Sequence, residues 1–392
     1  MNFEYNIPTK ILFGAGKLEN LATEKLPGRK ALIVTTNGTS MKKYGYLDRV
    51  ITLLKKKGID SVVFDKILPN PIRLHVMEGA KVAKENGCDF VIGLGGGSAI
   101  DSSKSIAVMA KNPGDYWDYI HAGTGKGKAV LQGALPIVAI TTTAGTGTEA
   151  DPWTVITHEE RNEKIGFGNN DTFPCLSIVD PELMTSVPPH LTAYQGFDAF
   201  FHAAEGYISK IANPISDIFA LKSIGLLSRF LPQAVKNGLD LEARTNVALA
   251  NTLSGMVEST SSCTSEHSME HALSAFHPEL PHGAGLIMLS VSYFSFFAKI
   301  VPARLSEMAE AMGRNVKGLT EEEGACKFIE ALKEMQECCG VSELKMSDYG
   351  IQESEIETLA RNARETMGGL FTLDPYSLSH EETVSIIKNS YK

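Results

Sequence analysis

Basic charge is in short supply: 37 Lys and Arg stand against 46 Asp and Glu, a formal net charge of −9 over 392 residues. A nucleic-acid binder needs a basic face to neutralise phosphates, so that class is excluded. Cysteine is scarce as well. Cys88, Cys175, Cys263, Cys326, Cys338 and Cys339 form no C-x-x-C and no disulfide-like spacing, and they read as reduced thiols of a cytosolic protein. The opening MNFEYNIPTKILFGAGKLENL lacks a basic flank followed by an apolar core, so no secretory signal and a cytoplasmic location are expected. Long uninterrupted apolar runs are missing too. The nearest, Gly283 to Val301, is broken by three serines and a lysine, and is expected to be a buried helix with no membrane partner. What is present is ordinary for a globular protein, 43% hydrophobic and 21% charged residues. At roughly 150 residues per domain the length asks for two or three domains.

The first half alternates strand-like and helix-like segments. KALIVTT (Lys30–Thr36), SVVFD (Ser61–Asp65), DFVIGLG (Asp89–Gly95), LPIVAIT (Leu135–Thr141) and LSIVD (Leu176–Asp180) are short, mostly apolar and rich in β-branched residues. Such runs suit strands covered on both faces, hence a largely parallel sheet. Helical patterns such as LDRVITLLKKKG and HVMEGAKVAKENG lie between them, each closed by a glycine. At Val187-Pro188-Pro189 the texture changes, and from Leu191 onward only helical periodicities follow. The expected fold is an α/β, mostly parallel, Rossmann-like dinucleotide-binding domain over 1–187, followed by an all-α metal-binding domain over 188–392.

Two strand ends carry phosphate-binding character. DFVIGLG runs into GGSAIDSSKSIA, where Gly95, Gly96 and Gly97 let the backbone approach a ligand and Ser98 opens a helix whose free N–H groups favour an anion. The second is ITTTAGTGTEAD (Ile140–Asp151), whose Thr141, Thr142, Thr143 and Thr146 suit the carboxyl edge of the same sheet. By themselves these segments indicate a nucleotide or phosphate ligand and do not choose between them.

Four of the ten histidines fall between His267 and His282. His267 and His271 are four apart, on one face of a helix, and Asp198 and His202 share that spacing in GFDAFFHAAEGYI. A carboxylate and an imidazole on one helix facing two imidazoles on another is how bundle proteins build metal sites. Nitrogen and oxygen donors without thiolate suit Fe(II), Zn(II) or Mn(II).

With these segments in view, the chain resembles the iron-containing (group III) alcohol dehydrogenases over nearly its whole length. The resemblance is carried by IPTKILFGAGKLENL, LPNPIRLHV, GGGSAIDSSKSIA, TTTAGTGTEAD, IVDPELMTSVPPHLTAYQGFDAFFHAAEGYIS and HSMEHALSAFHPELPHGAGL. It implies a dehydroquinate synthase-like architecture and NAD- or NADP-linked interconversion of a small primary alcohol or diol with its aldehyde or ketone. Fe(II) is the expected metal, on Asp198, His202, His267 and His282, with His271 as a proton relay. The dinucleotide positions it implies are Asn70, Gly97, Ser98, Asp101, Thr141, Thr142, Thr146 and Lys164, beside Gly96 of the glycine run. Glu205 is expected to be structural or to stand behind the ligands, and a homodimer or larger homo-oligomer is expected. His277 is an addition: some relatives have one fewer residue between the last two histidine ligands.

Two other readings share parts of this plan. A metal- and NAD-requiring sugar-phosphate lyase of the dehydroquinate synthase type would need basic residues for a substrate phosphate, whereas the ligand helix carries Phe197, Phe200, Phe201 and Ala203. A non-catalytic nucleotide- or metal-binding protein is the other. For cofactor choice, KALIVT is followed by TNGTSMKKYG with no acid to repel a 2′-phosphate, and Ser40, Lys42 and Lys43 stand where one is read, so NADP(H) is expected to be accepted.

Overall fold

The structure is a computed structural model, and it describes residues 2–392. By their contacts these residues form two compact units, one of Ile7–Ser186 and one of residues 2–6 with Val187–Lys392.

The first unit holds β1 (Lys10–Phe13), β2 (Lys30–Thr36), β3 (Asp60–Ile67), β4 (Phe90–Gly95), β5 (Ile137–Thr141), β6 (Thr154–His158), β7 (Glu163–Phe167) and β8 (Leu176–Val179). Its helices are α1 (Ser40–Lys43), α2 (Tyr46–Lys56), α3 (Arg73–Glu85) and α4 (Gly97–Lys111). Six strands make one wholly parallel sheet in the order β1-β8-β5-β4-β2-β3. All five strands expected from apolar runs are in it. The apolar side chains explain the sheet: every residue of β4 and β5 is buried, and Ile33, Ile92, Ile140 and Ile178 pack with Val50 and Leu54 of α2. The chain leaves β2 toward β3 and returns on β2's other side as β4, so the sheet's switch point lies between β2 and β4, where open α/β sheets bind ligands. Gly95 pairs in register with Thr141, which sets the glycine run beside the threonine run at the carboxyl edge. The edge strand β1 and the antiparallel pair β6–β7 were not expected.

The second unit is helical, with no strand among its described residues. It comprises α5 (Pro189–Ile208), α6 (Pro214–Lys236), α7 (Leu241–Ser261), α8 (Ser265–Phe276), α9 (His282–Phe297), α10 (Pro302–Ala311), α11 (Glu321–Cys338), α12 (Ile356–Thr366), α13 (Gly368–Leu373) and α14 (His380–Ser390). The apolar stretch from Gly283 is α9, whose Leu286, Leu289, Tyr293 and Phe294 are buried within the bundle. Among the described residues one helix, α6, is long and apolar enough to cross a membrane. It is a bundle helix, giving the Ser223 hydroxyl to the Ala250 carbonyl of α7. The start of α5 is pinned by the buried Arg244 of α7, which donates to Thr192 Oγ1 at 2.8 Å and to the Val187 carbonyl at 2.9 Å.

Candidate active site

At the carboxyl edge of the first unit, α4 begins at Gly97 with no side chain capping its N-terminus. An uncapped helix start offers free N–H groups and the positive end of its dipole to an anion. Glycine is required for a steric reason also: a Cβ on Gly97 would stand 2.3 Å from Thr146 Cγ2 and one on Gly96 2.7 Å from Thr143 Oγ1, so the two loops interlock. Ser98 Oγ donates to the Pro69 carbonyl, which ties α4 to the segment carrying Asn70. Thr141 and Thr142 are buried at the end of β5, and Lys164 is buried on β7.

Asp101 also has a structural task. Both its oxygens accept hydrogen bonds within the fold, from Thr148 Oγ1 (2.7 Å) and from the Val155 amide (2.9 Å), so its carboxylate braces the threonine loop and β6. Lys104, three residues on, was missed. Its fully buried ammonium is held by Thr148 Oγ1, Asp151 Oδ1 and the carbonyls of Asp151 and Trp153, at 2.6–3.0 Å. A charge without water needs such complete pairing, and here it clamps the loop after the threonines onto α4.

In the second unit, α5 presents Asp198 and His202 on one face while Phe200 stacks on Phe328 and Phe201 on Phe294 on the other. Those phenylalanines are bundle core, so they carry no information about a substrate phosphate. A single atom, Asp198 Oδ1, lies 3.6 Å from His202 Nδ1, 3.6 Å from His267 Nε2 and 3.5 Å from His282 Nε2. Donors around a tetrahedral divalent ion with bonds of ~2.1 Å stand about 3.4 Å apart, so these spacings suit one ion. Asp198 Oδ1 and His267 Nε2 are buried and make no hydrogen bond, which in an apolar bundle is costly unless a cation is the partner. Asp198, His267 and His282 form the tight group, with donor atoms within 4.8 Å of one another. The His202 ring stacks on His267 with centroids 4.3 Å apart. His271 is buried, its ring 5.4 Å from that of His282, and it belongs to a different tight group with Glu270 and His282. His277 points away, to within 3.3 Å of Glu355, so it does not compete for the ligand set.

The electrostatics favour a cation. Burial pushes the Asp198 carboxyl up, but the His202, His282 and His267 imidazoles outweigh it and hold the group at about 2. Burial pushes His267 down, yet Glu205 and Asp198 raise it well above the usual imidazole value. The field that favours a proton on His267 favours a metal ion in the same way.

Beneath the histidines lies a buried polar chain. Glu205 Oε2 accepts from the Thr264 amide and hydroxyl, both at 2.8 Å, so this α5 carboxylate caps the start of α8. Thr264 Oγ1 is 2.7 Å from Tyr293 OH, which donates to Asp374 Oδ1 at 2.9 Å. Burial pushes Asp374 up to about 7 despite hydrogen bonds from Ser265 and Tyr293. An ordinary carboxyl loses its proton near pH 4, so between about pH 4 and 7 the folded chain keeps a proton that the unfolded chain has shed. Stability from this group therefore falls as pH rises through that window and levels off above it. Asp374→Asn removes the dependence, and its melting temperature relative to the unmodified protein should rise from pH 4.5 to pH 8. An offset equal at both pH values would contradict the assignment.

Comparison with known proteins decides the family. The family model for iron-containing alcohol dehydrogenase matches residues 8–181, and the model for the C-terminal part of Fe-containing alcohol dehydrogenases matches residues 192–391. This chain belongs to the iron-containing alcohol dehydrogenase family. It is 34% identical to the 1,3-propanediol dehydrogenase of Citrobacter freundii, with 99% of each chain covered. Identity to the NAD-dependent methanol dehydrogenase of Bacillus methanolicus is 34%, over 98% of each. Among solved structures, an archaeal halo-thermophilic alcohol dehydrogenase from a Red Sea brine pool superposes with a TM-score of 0.95 at 34% identity, covering 100% of this chain and 99% of the other. A 1,3-propanediol oxidoreductase gives 0.92 at 32%, with both chains fully covered. As an iron-containing alcohol dehydrogenase, the chain is an NAD(P)-linked enzyme with the parallel-sheet and helical parts expected of it.

Proposed function

We propose that this enzyme interconverts a small primary alcohol or diol and its aldehyde, with Asp198, His202, His267 and His282 as the residues that would hold its Fe(II). The observation that carries the reading is the convergence of three imidazoles on one buried carboxylate oxygen. When bound, the metal supplies a Lewis acid that fixes the alcohol oxygen and lowers its pKa. The chain's own residues do the rest. His271, buried beside His282, takes the hydroxyl proton toward solvent. The start of α4 binds the dinucleotide's phosphates, and Thr141, Thr142, Thr146, Asn70 and Lys164 orient it, with Asp101 and Lys104 holding Thr148 and the end of that loop against α4. With an oxidised nicotinamide bound there, the carbinol carbon would lose a hydride to it as the hydroxyl loses its proton, which balances the two-electron oxidation of the alcohol. The named activities of the relatives, on 1,3-propanediol and on methanol, support a short substrate.

Absorbance of the reduced nicotinamide tests this. With Fe(II) and a short aldehyde, cofactor should be consumed one for one with alcohol formed. A flat trace, or turnover of a sugar phosphate with cofactor recycled, would overturn the reading in favour of a binding protein or a lyase.

Cofactor choice is a separate proposal: NADP(H) is accepted. No acid lies between Thr35 and Lys43 at the end of β2. Lys42 is held by Asp65 of β3 at 2.5 Å, which leaves Lys43 as the less committed cation. Lys42→Glu with Lys43→Glu should move the ratio of kcat/KM values toward NAD(H) several-fold. Strong NAD(H) preference in the unmodified enzyme, unmoved by this reversal, would contradict it.

A further inference from the structure

Each imidazole at Asp198 has a glutamate on its far side. His267 turns Nε2 to Asp198 and Nδ1 to Glu205 Oε1, with which it is hydrogen-bonded. His282 turns Nε2 to Asp198 and Nδ1 to Glu270 Oε2, again hydrogen-bonded. His202 is reversed, Nδ1 to Asp198 and Nε2 3.6 Å from Glu258 Oε2. The three carboxylates come from three helices, α5, α8 and α7, and Glu205 and Glu270 are completely buried. An imidazole has one N–H and one lone pair when neutral, and a carboxylate that takes the N–H at one nitrogen leaves the lone pair at the other. The backbone is shaped for Glu270 in particular. A Cβ on Gly285 of α9 would stand 2.7 Å from Glu270 Cγ and 3.0 Å from its Oε1, so α9 can pass the carboxylate only because position 285 is glycine.

We propose that Glu270 and Glu205, with Glu258 facing His202, are positioning residues of the metal site: they fix each imidazole's tautomer and orientation so that its lone pair faces the ion, and they retain the ion by their charge. The inference rests on the proposed ligand set and adds to it residues that touch no metal themselves. Glu205 also caps α8, so the cleaner probe is Glu270, whose carboxylate reaches His282 across the α8–α9 turn.

The test is metal release from protein loaded with Zn(II), followed with an excess of chromogenic chelator, and the visible spectrum of the Co(II)-loaded form. Partners behind metal-bound histidines are typically worth 10–100-fold in affinity. Release should be about tenfold faster in Glu270→Gln, which keeps an acceptor and loses the charge, and about a hundredfold faster in Glu270→Ala, with the Co(II) band displaced in both. Gly285→Ala, which crowds Glu270 without altering it, should also release faster, and it serves where Glu270→Ala does not fold. Release at the unmodified rate with an unchanged Co(II) band in Glu270→Gln and Gly285→Ala would overturn the proposal. An unmodified protein that takes up no metal would sink the ligand set itself, and this inference with it.

Discussion

Replacing His267 with alanine is expected to strip the enzyme of tightly held metal and to leave less than about 1% of its turnover. The metal's contribution to the transition state is several kcal/mol, and ~1.4 kcal/mol is a factor of ten in rate. Among the three imidazoles, His267 is the one with 2% of its side chain exposed, against 22% for His282, so no water reaches in easily to replace it as a ligand. The substitution also takes the imidazole partner from Glu205, and a buried carboxylate left short of partners destabilises the fold. Thermal stability should therefore drop as well. Metal analysis with kcat on the purified variant checks this, and full occupancy at a normal rate would remove His267 from the ligand set.

His271→Ala is expected to behave differently. Its ring belongs to the Glu270 and His282 group, whereas the 3.5–3.6 Å shell at Asp198 Oδ1 is formed by the other three histidines. Metal content should stay near that of the unmodified enzyme while kcat falls about a hundredfold, the usual scale for a lost acid–base group, and the pH–rate profile should lose the limb that group supplies. Equal loss of metal in His271→Ala and His267→Ala would make His271 a ligand, and the Glu270–His271–His282 group the ion's position.

The sequence shows the ligand-bearing helices but not the contrast between these two histidines. Helical spacing alone put Asp198 with His202 and His267 with His271, because an α-helix sets residues four apart on one face. Spacing is silent on which of two neighbouring imidazoles meets Asp198, since that depends on how α8 and α9 cross. Glu205, nearly two turns beyond Asp198, was expected to be structural or to stand behind the ligands, but spacing was silent on Glu258 and Glu270: a glutamate in a helix is usually solvated, and only the helix packing shows these facing inward. In the first unit, β4 and β5, apolar but for Thr141, were legible as buried strands. β6 and β7 were not, because Thr154, His158, Glu163 and Lys164 are polar side chains buried by their partners, which removes the apolar signal. β1 was missed as a four-residue edge strand paired on one side only. Asp101 sits among phosphate-loop residues in sequence, and its bonds to Thr148 and to the Val155 amide could not be read there.

The most direct test of the account is a titration of chelator-treated enzyme with Fe(II), reading bound metal and consumption of reduced nicotinamide with a short aldehyde in the same samples. Activity and bound metal should rise together and level off at one ion per chain, with Asp198→Ala taking up almost none. Full activity before metal is added, or a plateau at two ions per chain, would contradict a single ion held at Asp198, His202, His267 and His282.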